Sequence, residues 1–341
     1  MPSPFPQVPH AHRGEVHCLS HTSELLQGNP FGDPHVRDLF VYTPPGYSET
    51  GPPLPAVMVL PGYTGMGEKL LARGLTDISL ATRIDKLIMD GCPPFLAVMP
   101  DCMTTLGGSQ YVDSAGLGSY ASYLAKEIRS FVDAQFQTNG RWGVVGHSSG
   151  GFGALHLAMT FPGDFSGAAC HAGDMGFDLC YLSEIPPAVR AVQRSGGVKA
   201  FIGDFWAKRR LGGDDIAAMS LLCMACAYSP DPGAEPVPAR LPVDFETGAV
   251  DFEVLTTWRA LDPLVRVDQP QAIAALDGLD VLFIDAGSRD EYNLHLGARR
   301  LVSRLQAHGV DHIYEEFDGG HRGSAWRYGV SMAKLAEVLQ T

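Results

Sequence analysis

The chain has 341 residues, 45% of them hydrophobic, which is enough to bury a large core within one α/β domain. Its formal net charge of -13 repels phosphate backbones and anionic lipid, so neither nucleic acid nor a membrane is expected as a partner. The longest apolar segment, 216–228, is too short to span a bilayer.

Residues 1–12 are proline-rich and are expected to be loosely ordered. They carry no basic start and no apolar run of signal length, so a cytoplasmic protein is expected. His10, His12, His17 and His21 cluster near the start without the frame of a metal site, and neither a metal nor a cofactor is expected. The seven cysteines are odd in number and scattered, as reduced thiols are. Cys223 and Cys226 fall in an apolar helical run with no second Cys or His pair nearby, so a buried helix face is the reading there.

Short apolar runs at 36–42, 56–60, 96–99, 142–146, 167–171, 280–285 and 312–317 read as strands. Several are almost wholly apolar, as strands covered on both faces are. Helical patterns fall between them. Tyr120, Leu124, Ile128 and Phe131 recur at spacings of three and four within 119–136, and Leu294, Ala298, Leu301 and Leu305 do so later. Alternating strands and helices predict a mainly parallel sheet flanked by helices in a single domain, 1–341. Residues 173–271 break the alternation with helical patches and a proline-rich stretch. They form an insertion before the strand at 280–285, expected to be a cap or lid.

The most informative segment is Gly146-His147-Ser148-Ser149-Gly150. An apolar strand precedes it and a helical pattern follows at once, the context that a G-x-S-x-G nucleophile turn requires. The turn is sharp, and Gly146 and Gly150 let it close against its neighbours. Ser148 is the candidate nucleophile. Ser149 stands one residue late and is expected to supply a backbone N–H.

A serine hydroxyl needs a base, and the base needs an orienting acid. His321 lies on a Gly-Gly loop just past the last predicted strand, whereas His295, His308 and His312 lie within or beside regular elements. Asp290, in the loop after the strand at 280–285, is the candidate acid. Glu291 is its rival, Asp285 closes the strand itself, and Asp318 is too close in sequence to His321 to brace it. The loop after 56–60 reads Pro61-Gly62-Tyr63-Thr64-Gly65. Its tight turn is expected to aim an amide inward, from Tyr63 or from its neighbours Gly62 or Thr64.

Taken together, these segments resemble the esterase D-like family of feruloyl esterases, enterochelin esterases, S-formylglutathione hydrolases and antigen 85 mycolyltransferases. The resemblance rests on Val41-Tyr-Thr-Pro-Pro-Gly-Tyr47, Leu60-Pro-Gly-Tyr-Thr64, Tyr111-Val-Asp-Ser114, the run from Gly146 to Leu155, Gly287-Ser-Arg-Asp290, and Gly319-Gly-His321 with Trp326. It implies the α/β-hydrolase fold, a triad of Ser148, Asp290 and His321, and an oxyanion hole at Tyr63 and Ser149. It also implies that Tyr111, Ser114 and Trp326 lie near the substrate groove. Formylglutathione hydrolases usually carry a cysteine where this chain has Gly65, and residues 173–271 match no member, so the substrate stays open.

The expected function is a serine carboxylic ester hydrolase acting on a small-molecule ester, with self-association left open. An acyltransferase using the same triad is the alternative. A non-catalytic binding protein of this fold is a more distant one, because such relatives usually lose a triad member. Neither a P-loop nor a G-x-G-x-x-G motif is found.

Overall fold

The computed structural model describes residues 14–74 and 78–340. The proline-rich start, with His10 and His12, lies outside the described residues.

Eight strands form one sheet: β1 (Glu15–Thr22), β2 (Val36–Thr43), β3 (Leu54–Leu60), β4 (Leu96–Pro100), β5 (Thr138–His147), β6 (Gly167–His171), β7 (Val281–Gly287) and β8 (Ile313–Phe317). Their order is β1-β2-β4-β3-β5-β6-β7-β8. β2 runs antiparallel to β1 and β4, and from β4 through β8 every pairing is parallel. All seven runs read as strands from sequence are strands. β1 is an addition, an edge strand whose side chains alternate between exposed and half-buried. It carries His17 and His21. His17 lies 3.0 Å from the Thr43 hydroxyl, and His21 lies 3.5 Å from Glu127.

Helices cover both faces, as the apolar strands require. On one face lie α1 (Leu80–Met89) and the last helix; on the other, α2 (Ser149–Thr160) and its neighbours. Successive strand residues therefore serve opposite cores: Val144 packs on the α2 side and Val145 on the α1 side. The run read as helical over 119–136 is helical from Tyr120 to Gln135, with Ser119 closing a short strand, and Tyr123–Ile128 form a widened π turn.

Residues 173–271 hold α3 (Ile185–Arg194), α4 (Val198–Phe205), α5 (Gly213–Tyr228), α6 (Phe252–Arg259) and the start of α7 (Pro270–Asp277). α3 packs along α5, and α5 also touches the short hairpins before the π turn. α5 is buried along most of its length, Cys223 and Cys226 included. α7 packs against α2 and so belongs to the sheet's own helix layer. α8 (Leu294–His308) and α9 (Arg327–Val338) complete the chain. Among the described residues no helix is long and apolar enough to cross a membrane.

Candidate active site

β5 ends at His147 and α2 begins at Ser149, which leaves Ser148 as the hinge with φ 59° and ψ -127°. Positive φ is costly for a residue with a side chain and persists only where the surroundings enforce it. Here the Ser148 amide donates to the His171 carbonyl at 2.9 Å, and the Phe152 amide donates to the Ser148 carbonyl at 3.0 Å. A Cβ on Gly146 would stand 2.1 Å from the Gly150 carbonyl oxygen, and one on Gly150 would stand 1.9 Å from that of Leu60. No side chain fits at either position, so the two glycines are what let strand, turn and helix close together.

His321 sits on the loop after β8, buried at 8% exposure. Its Nε2 lies 3.0 Å from Ser148 Oγ, and its Nδ1 lies 2.8 Å from Asp290 Oδ2. An Nδ1–H donated to the carboxylate leaves Nε2 free to accept the serine proton. Burial alone pushes the Asp290 carboxyl up. The His321 ring and the Tyr292 and Leu294 amides outweigh it, so the carboxyl sits below its ordinary value. It stays ionised beside the imidazole.

The other carboxylates are engaged elsewhere. Glu291 accepts the His321 backbone amide at 2.7 Å and fixes the loop rather than the ring. Asp318 pairs with Arg289 at the surface, 2.7 Å apart. Asp285 is buried between His171 and Arg327.

The His147 ring lies 4.5 Å from that of His321, centroid to centroid. Its Nε2 is 3.1 Å from both the His321 carbonyl and the Ser324 hydroxyl. Burial, and then His321 and His171, push the His147 pKa down to about 3. It is therefore neutral near pH 7 and adds no second cation beside His321.

After β3 the loop turns at Gly62, whose carbonyl accepts the Gly65 amide at 2.7 Å. The Tyr63 hydroxyl donates to the Leu106 carbonyl, and the Tyr63 carbonyl accepts the Gly108 amide at 2.9 Å. Among the described residues the Tyr63 and Ser149 amides donate to no protein acceptor. Both residues border a cavity of about 740 Å³ that also reaches Ser148 and His321. Asp290 stands behind the histidine at 3% exposure.

The other three candidates lie outside the lining of this cavity. Tyr111 is buried with φ 57°, its hydroxyl donating to the Pro61 carbonyl at 2.5 Å and its ring packed against Gly153. It braces the loop that carries Tyr63. Ser114 donates to the Cys226 carbonyl at 2.5 Å and ties its hairpin to α5. Trp326 is 48% exposed; it meets Phe317 edge-to-face and the Arg327 guanidinium lies over its ring.

Sequence reasoning passed over Asp174, Tyr292 and His147, all of which line the cavity. The available signal was positional. Asp174 follows β6 at the carboxyl edge of the parallel strands, where such sheets gather their sites.

The strand order, the parallel half of the sheet and a serine hinged between strand and helix define an α/β-hydrolase fold. Solved structures similar to it include a ferulic acid esterase, 15% identical, with a TM-score of 0.59 over 97% of this chain and 99% of that one. The S-formylglutathione hydrolase of Agrobacterium tumefaciens is 17% identical, with a TM-score of 0.58 over 96% and 97%. At such identities the likeness speaks for the fold alone. An esterase of Mycobacterium tuberculosis is 26% identical over 151 residues, 41% of this chain and 33% of that protein. The chain thus matches about a third of the length of its curated relatives. The model of the “Putative esterase” family matches residues 34–335, and the chain belongs to that family.

Proposed function

We propose that the protein is a serine esterase that hydrolyses small-molecule carboxylic esters through an acyl-enzyme. The observation that carries this reading is the hydrogen-bonded chain Ser148–His321–Asp290 opening onto the cavity. Ser148 Oγ attacks the ester carbonyl as His321 Nε2 takes its proton. The developing oxyanion is held by the Tyr63 and Ser149 amides, which lack protein acceptors, at the N-terminus of α2 where the helix dipole favours negative charge. His321 then gives its proton to the departing alcohol. Water, deprotonated by the same nitrogen, releases the acid and restores Ser148. Asp290 keeps the ring in the tautomer that accepts at Nε2 and stabilises the imidazolium.

Residues 173–271 act as a cap within a single domain in this reading. Tyr181, Glu184, Ile216 and Met224 from that segment line the cavity, so it sets which esters fit.

Ser148→Ala should lower turnover of a simple aryl ester by roughly 10³- to 10⁶-fold at unchanged thermal stability. A fluorophosphonate probe should label the wild type at Ser148 and leave the variant unlabelled. Near-wild-type turnover in the variant would overturn the assignment.

A further inference from the structure

The cavity holds two carboxyl groups that the proposed chemistry does not use. Asp174 is 6% exposed and lines the cavity just past β6. Its Oδ2 accepts the Ser149 hydroxyl at 2.8 Å and the Tyr181 hydroxyl at 3.1 Å. Among the described residues its Oδ1 accepts nothing. Glu184, half-buried at the end of the turn Leu182–Glu184, lines the same cavity, and no described residue donates to its carboxyl. Burial pushes both carboxyls above their ordinary range. The remaining lining from the same segment is Cys180, Tyr181, Ile216, Ser220 and Met224.

A carboxylate oxygen on a cavity lining that no protein group meets can accept a donor brought by a ligand. Asp174 Oδ1 and the Glu184 carboxyl are such acceptors: among the described residues no protein donor meets them. Of the cationic lining residues, Lys69 and Arg322 are exposed and Arg83 is half-buried, whereas Asp174 is buried. An ammonium would have to shed a tight hydration shell to reach Oδ1, which a neutral hydroxyl does at far lower cost. The two donors already on Oδ2 are themselves hydroxyls.

We propose that Asp174 and Glu184 form a subsite for an aliphatic hydroxyl group, so that the preferred ester carries a hydroxylated acyl or alcohol portion. The proposal rests on the serine esterase reading and names the substrate class for that same site. Asp174 lies one hydrogen bond from Ser149, the neighbour of the nucleophile, so the recognised hydroxyl stands close to the scissile carbonyl. A site built around an unpaired acceptor rejects the analogue lacking the donor far more strongly than an apolar pocket rejects a changed methylene.

The test compares matched esters in which a hydroxyl is replaced by a methyl or an amino group, placed in turn on the acyl and the alcohol portion. They are assayed with the wild type, Asp174→Leu, Asp174→Asn and Glu184→Leu. In the wild type at least one hydroxy ester should exceed its methyl counterpart in kcat/KM by about tenfold or more. That ratio should fall to about twofold or less in Asp174→Leu and recover in part in Asp174→Asn, which keeps an acceptor. The ratio is read only from variants that keep the wild-type far-UV circular dichroism spectrum. If Asp174→Leu does not fold, the ratio in the half-buried Glu184→Leu decides the matter, and it too should fall. The subsite is overturned by a wild type with no hydroxyl preference, by a preference unchanged in the leucine variants, or by amino esters that outrun hydroxy esters. Those results leave the esterase reading intact while Ser148→Ala abolishes turnover. A wild type that cleaves none of the esters and takes up no fluorophosphonate overturns the esterase reading itself.

Discussion

Two chains of serine, histidine and aspartate lie in this molecule, at neighbouring strand ends. In the first, His321 bridges Ser148 and Asp290 at 3.0 and 2.8 Å. In the second, His171 bridges Ser331 and Asp285 at 2.8 Å on each side. The bonding pattern is the same, yet the surroundings differ in every respect that matters for chemistry. Ser148 sits at a positive-φ hinge beside a cavity and next to two amides without acceptors. Ser331 lies in α9, fully buried, and His171 and Asp285 are 2% and 1% exposed. Asp285 also pairs with Arg327, which reaches Glu315 in turn. A substrate can approach only the first chain. The second ties β6, β7 and α9 together beneath it, and the His171 carbonyl at its edge holds the Ser148 amide.

The sharpest way to separate the two is to remove the acid from each. Asp290→Asn should leave the fold intact and lower kcat by roughly 10⁴-fold, because an amide donating to Nδ1 forces the proton onto Nε2. Glu291→Gln, one residue on, should keep most of the activity, since its carboxylate meets a backbone amide and not the ring. Comparable losses in the two variants, measured by steady-state kinetics on one aryl ester, would mean that the acid has been misplaced.

The matching change in the buried chain acts on stability. Asp285→Ala leaves the Arg327 guanidinium buried with half its partners and His171 without its acceptor. Breaking a buried ion pair from one side should cost about 3–5 kcal/mol in urea unfolding. The fraction that remains folded should still turn over ester. A loss below about 1 kcal/mol would show that this network carries little of the fold.

The first chain could be read from the sequence because its parts are punctuated. Glycines flank Ser148, a Gly-Gly pair precedes His321, and each candidate falls just past an apolar run. The sevenfold recurrence of such runs likewise made the parallel sheet legible, with the resemblance supplying the name of the fold. β1 escaped because Glu15-Val-His-Cys-Leu-Ser-His-Thr22 is a polar edge strand that pairs only with β2 and lacks an apolar run. The second chain escaped because His171 and Ser331, 160 positions apart, carry no local signal. Tyr111 and Ser114, which the resemblance implied near the substrate groove, are outside the cavity lining, and their hydroxyls are spent on the Pro61 and Cys226 carbonyls. Side-chain direction of that kind is set by tertiary contacts that no spacing encodes.

The smallest expected effect tests whether the second chain is structural. Ser331→Ala removes one hydroxyl and leaves His171 Nε2 buried without a partner. An unsatisfied buried group of this kind costs about 1–3 kcal/mol, visible as a lowered urea midpoint at constant slope. The alanine introduces no strain in a helix, so nothing else should offset the loss. Turnover per folded molecule should stay at the wild-type level, because Ser148 is anchored through the His171 carbonyl, and β6 holds that carbonyl whatever the imidazole does. A fall in kcat comparable to that of Ser148→Ala would erase the distinction, making the buried serine part of the chemistry. A fall confined to stability keeps the two chains apart, with the difference between them lying in access, hinge strain and free amides rather than in the bonds they share.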